Sequence, residues 1–131
     1  MRAQHGFTII EFLVVAAICG ILALIAVPQY SSYRDRAYTM ATISDVSRVA
    51  RAQKELFTSS SSYKEISSCS SVSADTRCIL EGLPGLESLS KGVSMDVKTS
   101  QSGFIVTAKH IKSAKICSWD SAKGGPVDCS S

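Results

Sequence analysis

A chain of 131 residues with a formal net charge of +3 is long enough for one modest domain and excludes a multidomain enzyme. Its apolar content, 45%, is ordinary for a globular protein but unevenly spread, because much of it lies before Pro28. The polar, serine-rich remainder from Gln29 onward must fold around a small core, and cores of that size are often stapled covalently.

The first element is an apolar segment. From Phe7 to Val27 only Thr8 and Glu11 carry strongly polar side chains. As a helix rising about 1.5 Å per residue, this segment reaches about 30 Å, the thickness of a bilayer core. The stretch before it, Met1 to Gly6, is short and positive at Arg2. A secretory signal would have a shorter apolar core and an A-x-A-like cleavage site, which Leu24-Ile25-Ala26-Val27-Pro28 does not supply. A plain single-span anchor fits the length and leaves Glu11 unexplained. A carboxylate inside a membrane helix costs about 3 kcal/mol on insertion scales, so it implies a partner. Cleavage after Gly6 would create one, the α-ammonium of Phe7, within a helical turn of Glu11. A neighbouring copy's amine would serve equally if copies lay side by side with an axial offset. At about 4 Å and an effective dielectric of 20 such a pair gains about 4 kcal/mol, and Glu11 would then set the register of assembly.

Gly6-Phe7-Thr8-Ile9-Ile10-Glu11, the apolar run, Pro28 and the following Tyr30 and Tyr33 resemble the class III signal of type IV pilins. The resemblance is specific from about Gly6 to Arg36 and architectural beyond. It implies an α+β fold, with a long N-terminal helix, half membrane and half amphipathic, packed on a small antiparallel sheet and followed by a cysteine-closed tail. It implies a leader, residues 1–6, that prepilin peptidase removes between Gly6 and Phe7, and N-methylation of Phe7 by the same enzyme. Glu11 would recruit each subunit into a helical homo-oligomeric filament through a neighbour's Phe7 amine. Further partners would be the membrane before assembly and an inner-membrane assembly platform. The location would change from inner membrane to extracellular surface filament. Gly20 and Pro28 would be weak points of the helix, since Gly costs about 1 and Pro about 3 kcal/mol relative to Ala in a helix interior. Related filaments lose helical order between such positions. Close helix packing is the alternative use of Gly20.

Beyond residues 7–28, a second helical stretch, 29–57, is read from Tyr30, Tyr33, Ala37, Met40, Ile43, Val46, Ala50, Gln53 and Phe57, which step by three or four. Asp35, Thr42, Asp45, Arg48 and Arg51 fill the other positions, which predicts a polar opposite face. Residues 58–131 form the loop, sheet and tail. The serine clusters at 58–62 and 67–71 predict loop. Ile79 to Leu86 reads as an apolar segment laid on the core. Three alternating runs, around Val93–Val97, Phe104–Ala108 and Ala114–Trp119, predict an antiparallel meander. The turns would be Thr99–Gly103 and His110–Ser113. The tail, interrupted by Gly124-Gly125-Pro126, reads as a stapled loop.

Cys69, Cys78, Cys117 and Cys129 allow three pairings. Sequence neighbours suggest Cys69–Cys78 and Cys117–Cys129, which would place this half outside the cytoplasm. Zinc is disfavoured, with no C-x-x-C knuckle and one histidine, His110, beyond the first segment. Cys19 reads as a small apolar side chain in the membrane helix. Asp120 and Asp128 make a thin calcium ligand set. No nucleophile motif or glycine-rich phosphate loop is present, so neither cofactor, metal nor enzymatic activity is expected. Lys109, Lys112 and Lys115 gather near one turn. They are either a solvated rim or a phosphate-binding patch for non-specific DNA capture. The expected function is a structural filament subunit supporting adhesion, twitching motility or DNA uptake. The alternatives are a pseudopilin of type II secretion, a minor DNA-binding competence pilin, and an uncleaved anchor for a periplasmic binding domain.

Overall fold

The computed structural model describes residues 6–70 and 73–131. Met1 to His5, most of the expected leader, and Ser71-Val72 at the end of the second serine cluster lie outside the described residues. One helix, α1 (Ile9–Ser60), precedes five strands: β1 (Ile66–Cys69), β2 (Val93–Ser100), β3 (Gly103–His110), β4 (Ile116–Asp120) and β5 (Asp128–Ser130). The chain divides into two compact units, 1–34 and 35–131.

From Ile9 to Val27 the helix is apolar all round apart from Glu11, and Ile9, Ile10, Phe12 and Leu13, with Phe7 just before it, are all exposed. A helix hydrophobic all round requires a lipid or protein environment to cover it. Its most apolar window has a mean hydropathy of 2.8 and no burial within the chain, so by length and composition it can cross a membrane. Gly20 and Pro28 both lie inside α1. Among the described residues nothing outside the helix's own backbone comes within 4 Å of a Cβ added at Gly20.

In the second unit α1 contributes Val46, Val49, Ala50 and Ala52 to the core. The sheet contributes Val93, Met95 and Val97 from β2, Phe104, Val106 and Ala108 from β3, and Cys117 from β4. Leu80, Leu83, Leu86 and Leu89 of the connecting segment close its edge. The expected alternation in β2 and β3 therefore faces the helix. The sheet is an antiparallel meander in the order β1-β2-β3-β4-β5. The β2–β3 hairpin is tighter than the sequence suggests, because Ser100 pairs with Gly103 and only Gln101 and Ser102 form the turn.

Several expectations need correction. The helix runs past Phe57 to Ser60, because hydroxyls that usually signal a loop instead bond back to helix carbonyls. Thr58 Oγ1 donates to Lys54 O, and the Ser59 and Ser60 hydroxyls donate to Leu56 O. Ser61, at φ 53°, then ends it. The second serine cluster holds a strand, β1, whose partner is β2. Part of the tail is also a strand, since β5 pairs with β4 through Cys117↔Cys129. On the helix, Thr42 and Asp45 are buried while Met40 is 66% exposed, because polar partners and not hydropathy decide those positions.

Candidate assembly site

Gly6, Phe7 and Thr8 precede the first turn of α1. Thr8 stands at its N-cap and Glu11 three residues on. The Thr8 backbone N–H and hydroxyl both donate to Glu11 Oε2, at 2.8 and 2.7 Å. The Glu11 N–H donates in turn to Thr8 Oγ1 at 3.4 Å. This is a capping box, in which two orphan donors of a helix end are satisfied reciprocally. Glu11 thus has a local partner in Thr8, and the helix N-terminus favours its negative charge. The T-x-x-E spacing before an apolar run is the signal that would have identified Thr8. Cleavage after Gly6 would add an ammonium one residue before this box. Phe7, Ile10, Val14 and Val15 surround Glu11, so an incoming partner would meet a carboxylate framed by apolar side chains.

Within the second unit, residues 61–131 are fastened to the 35–60 stretch of α1 by buried polar contacts. Asp45, 1% exposed, accepts the Ser90 N–H at 2.7 Å and the Ser90 hydroxyl at 3.1 Å, and pairs with Arg48 at 3.3 Å. Gln53, fully buried, accepts the Lys64 N–H at 2.9 Å and donates to the Lys64 carbonyl. Cys69 is joined to Cys78, with Cα atoms 5.8 Å apart, and Cys117 to Cys129, with Cα atoms 4.0 Å apart. Cys19 is a free, exposed thiol.

His110 is not in a turn. It is the last residue of β3, 4% exposed, with its ring stacked on Tyr38 at 4.2 Å between centroids. Its Nδ1 accepts the Lys112 N–H at 3.0 Å. Burial holds its pKa below the usual 6.5, a backbone hydrogen bond at Lys91 works upward, and the Lys112 charge works downward again. Next to it the Ser113 hydroxyl donates to Asp35 Oδ1 at 2.9 Å. The basic trio is set around this corner: Lys109 and Lys112 are exposed and Lys115 is partly covered. Asp120 Oδ1 accepts the Ala122 N–H at 2.9 Å, a turn contact. Among the described residues no three His, Cys, Asp or Glu side chains are placed to hold a metal.

Residues 1–27 match the family model described as the prokaryotic N-terminal methylation motif. A fimbrial protein of Pseudomonas aeruginosa is 50% identical over 52 residues, 40% of this chain and 34% of the relative. The type IV major fimbrial protein FimA of Dichelobacter nodosus is 45% identical over 49 residues, 37% and 31% of the two chains. The type IV major alpha-pilin of Moraxella bovis is 54% identical over 39 residues, 30% and 24%. The match spans about a third or less of each of these relatives. Beyond that stretch the chain has the rest of its long helix, a small antiparallel sheet and a cysteine-closed tail. Over that N-terminal stretch the chain is similar to type IV pilins and carries their methylation motif.

Proposed function

We propose that the protein is a structural subunit of a type IV pilus filament. It would be cut by prepilin peptidase between Gly6 and Phe7, methylated on Phe7, and polymerised through its N-terminal helix at an inner-membrane assembly platform. The observation that carries this reading is the methylation motif over residues 1–27, set on a helix that from Ile9 to Val27 is apolar all round apart from Glu11. Such a surface needs covering. The membrane would cover it before assembly, and neighbouring helices afterwards. Glu11 would then exchange or share its Thr8 contacts with a Phe7 ammonium, since an uncompensated charge among packed apolar helices opposes assembly by several kcal/mol. Gly20 and Pro28 would supply local helix weakness that lets the filament stretch.

Adhesion, twitching motility and DNA uptake would be properties of the assembled filament. For DNA, the lysines at 109, 112 and 115 are the groups to test, by the salt dependence of duplex binding to sheared filaments.

Intact mass spectrometry of sheared surface filaments, before and after reduction, tests the proposal. The expected mass begins at Phe7, carries one added methyl, and rises on reduction by the hydrogens of two disulfides. A full-length mass confined to the membrane fraction would instead support the uncleaved anchor.

A further inference from the structure

His110 ends β3 under Tyr38, and backbone engages both of its ring nitrogens. Nδ1 accepts the Lys112 N–H at 3.0 Å, so in the neutral ring the proton sits on Nε2. Nε2 lies against the Lys91–Gly92 turn, where it would be 2.7 Å from a Cβ added at Gly92, and the ring makes a backbone hydrogen bond at Lys91.

The Lys112 bond closes a corner formed by residues 110–113. The Ser113 N–H donates to the His110 carbonyl at 3.0 Å, and the Ile111 N–H to the Gly92 carbonyl at 2.8 Å. The Ser113 hydroxyl donates to Asp35 Oδ1 at 2.9 Å and accepts the Lys115 N–H at 3.3 Å. Here the β3–β4 connection is tied to the 35–60 stretch of α1. Of residues 111–115 only Ser113 is buried, so polar contacts and not apolar burial hold the corner.

The charged groups around the ring are mostly cations. Lys109 and Lys112 stand on its own hairpin, and Lys91 on the loop before β2. On α1, Asp35 is held by Ser113, and Arg36 beside it is exposed. The segment whose Ala74 backbone packs over Gly92 carries Asp75 and Arg77, both exposed. Among the described residues no carboxylate lies within ion-pair distance of the imidazole. A proton from solvent must enter on Nδ1, the one free acceptor of the neutral ring. It turns that acceptor into a donor aimed at the Lys112 N–H. The stack on Tyr38 survives the change, since a cation also sits well over an aromatic face. The contact that protonation breaks is the Lys112 bond.

We propose that His110 is an acid-operated latch. With the ring neutral, residues 110–113 stay closed and Ser113 holds Asp35. With Nδ1 protonated, residues 111–113 swing out and release Asp35 while β2 and β3 remain paired. Burial keeps the His110 pKa below 6.5 in the closed corner, and opening returns it toward its ordinary value. The latch is therefore fully closed above about pH 6.5 and opens as pH falls through the folded value, by up to about tenfold per pH unit. This device belongs to the second unit and goes beyond the filament reading, on which it does not depend.

The test is nuclear magnetic resonance on the isotope-labelled full chain in detergent micelles. The His110 ring nitrogens should report the Nε2–H tautomer at about pH 7.5 and the imidazolium in acid. Across that titration the exchange protection of the Lys112 and Ser113 amides should fall at least about tenfold, while that of Val106 and Ala108 in β3 changes by less than about threefold. His110→Asn, which does not titrate, should lack the acid-dependent loss at Ser113. Ser113→Ala should lower the protection of Lys112 already at neutral pH and move the His110 titration toward 6.5. An Nδ1–H ring at neutral pH, or constant Lys112 and Ser113 protection while the ring titrates, overturns the proposal in the wild-type chain alone. So does an equal loss at Val106 and Ala108, which would be unfolding of the whole unit, or an equal acid loss in His110→Asn.

Discussion

Replacing Asp45 by alanine should unfasten the loop that carries Ser90 from the helix. Asp45 is 1% exposed, and its two oxygens hold the Ser90 N–H at 2.7 Å and hydroxyl at 3.1 Å. Hydrogen bonds to a charged group contribute about 1.5–3 kcal/mol each, and a backbone donor left without a partner keeps its full desolvation cost. Arg48, half exposed, adds under about 1 kcal/mol. Ser90 is only partly buried, so its hydroxyl regains some hydration. The net expectation is a loss of about 3–4 kcal/mol, which for a domain of this size lowers the melting temperature by about 12–30 °C. The assay is thermal unfolding followed by the fluorescence of Trp119, the chain's one tryptophan. Ser90→Ala removes the hydroxyl contact and keeps the backbone one, so it should cost about 1 kcal/mol. Two results would refute the reasoning: an Asp45→Ala loss under about 1 kcal/mol, or a Ser90→Ala loss as large as that of Asp45→Ala.

Further outcomes test other contacts. Gly92, at φ 76°, would place an added Cβ 2.7 Å from His110 Nε2, so Gly92→Ala should cost about 1–3 kcal/mol through strain and displacement of the ring; a neutral result in denaturant titration would refute the packing of that corner. Because His110 has its pKa lowered by burial, the unfolded chain takes up a proton near pH 6.5 while the folded chain resists. The stability His110 contributes is therefore complete above about pH 6.5 and is lost as pH falls through the folded value. Comparing wild type with His110→Asn across that window should show a shallower slope in the variant, and equal slopes would argue against a buried neutral ring. Cys129→Ser opens a staple of sequence separation 12 and should cost about 3 kcal/mol under oxidising conditions, with an unchanged melting temperature counting against the pairing. Glu11→Ala should insert into the membrane and fail to assemble, so sheared filaments at wild-type yield would rule out its role in register.

The N-terminal third was legible in the sequence because its determinants are local. A run of apolar side chains needs no tertiary partner to declare itself, and a glycine–phenylalanine step with a glutamate five residues beyond the glycine is readable as spacing. The alternation of Val93, Met95 and Val97 and of Phe104, Val106 and Ala108 was legible for the same reason, since the pleat repeats every two residues. What tertiary structure decided was whatever depends on a distant partner. Thr42 and Asp45 look like solvent-facing helix positions until Ser90, 45 residues away along the chain, satisfies the carboxylate. His110 looks like a turn residue until Tyr38 covers its ring. The serines of β1 and the short β5 carry no apolar alternation, and they become strands only because β2 and β4 offer open hydrogen-bonding edges. Likewise, the bare sequence marks Arg51, Lys54 and Trp119 as unrelated residues. Only the folded tail, held by the Cys117–Cys129 staple and the Trp119–Gly125 hydrogen bond, brings them to one cleft.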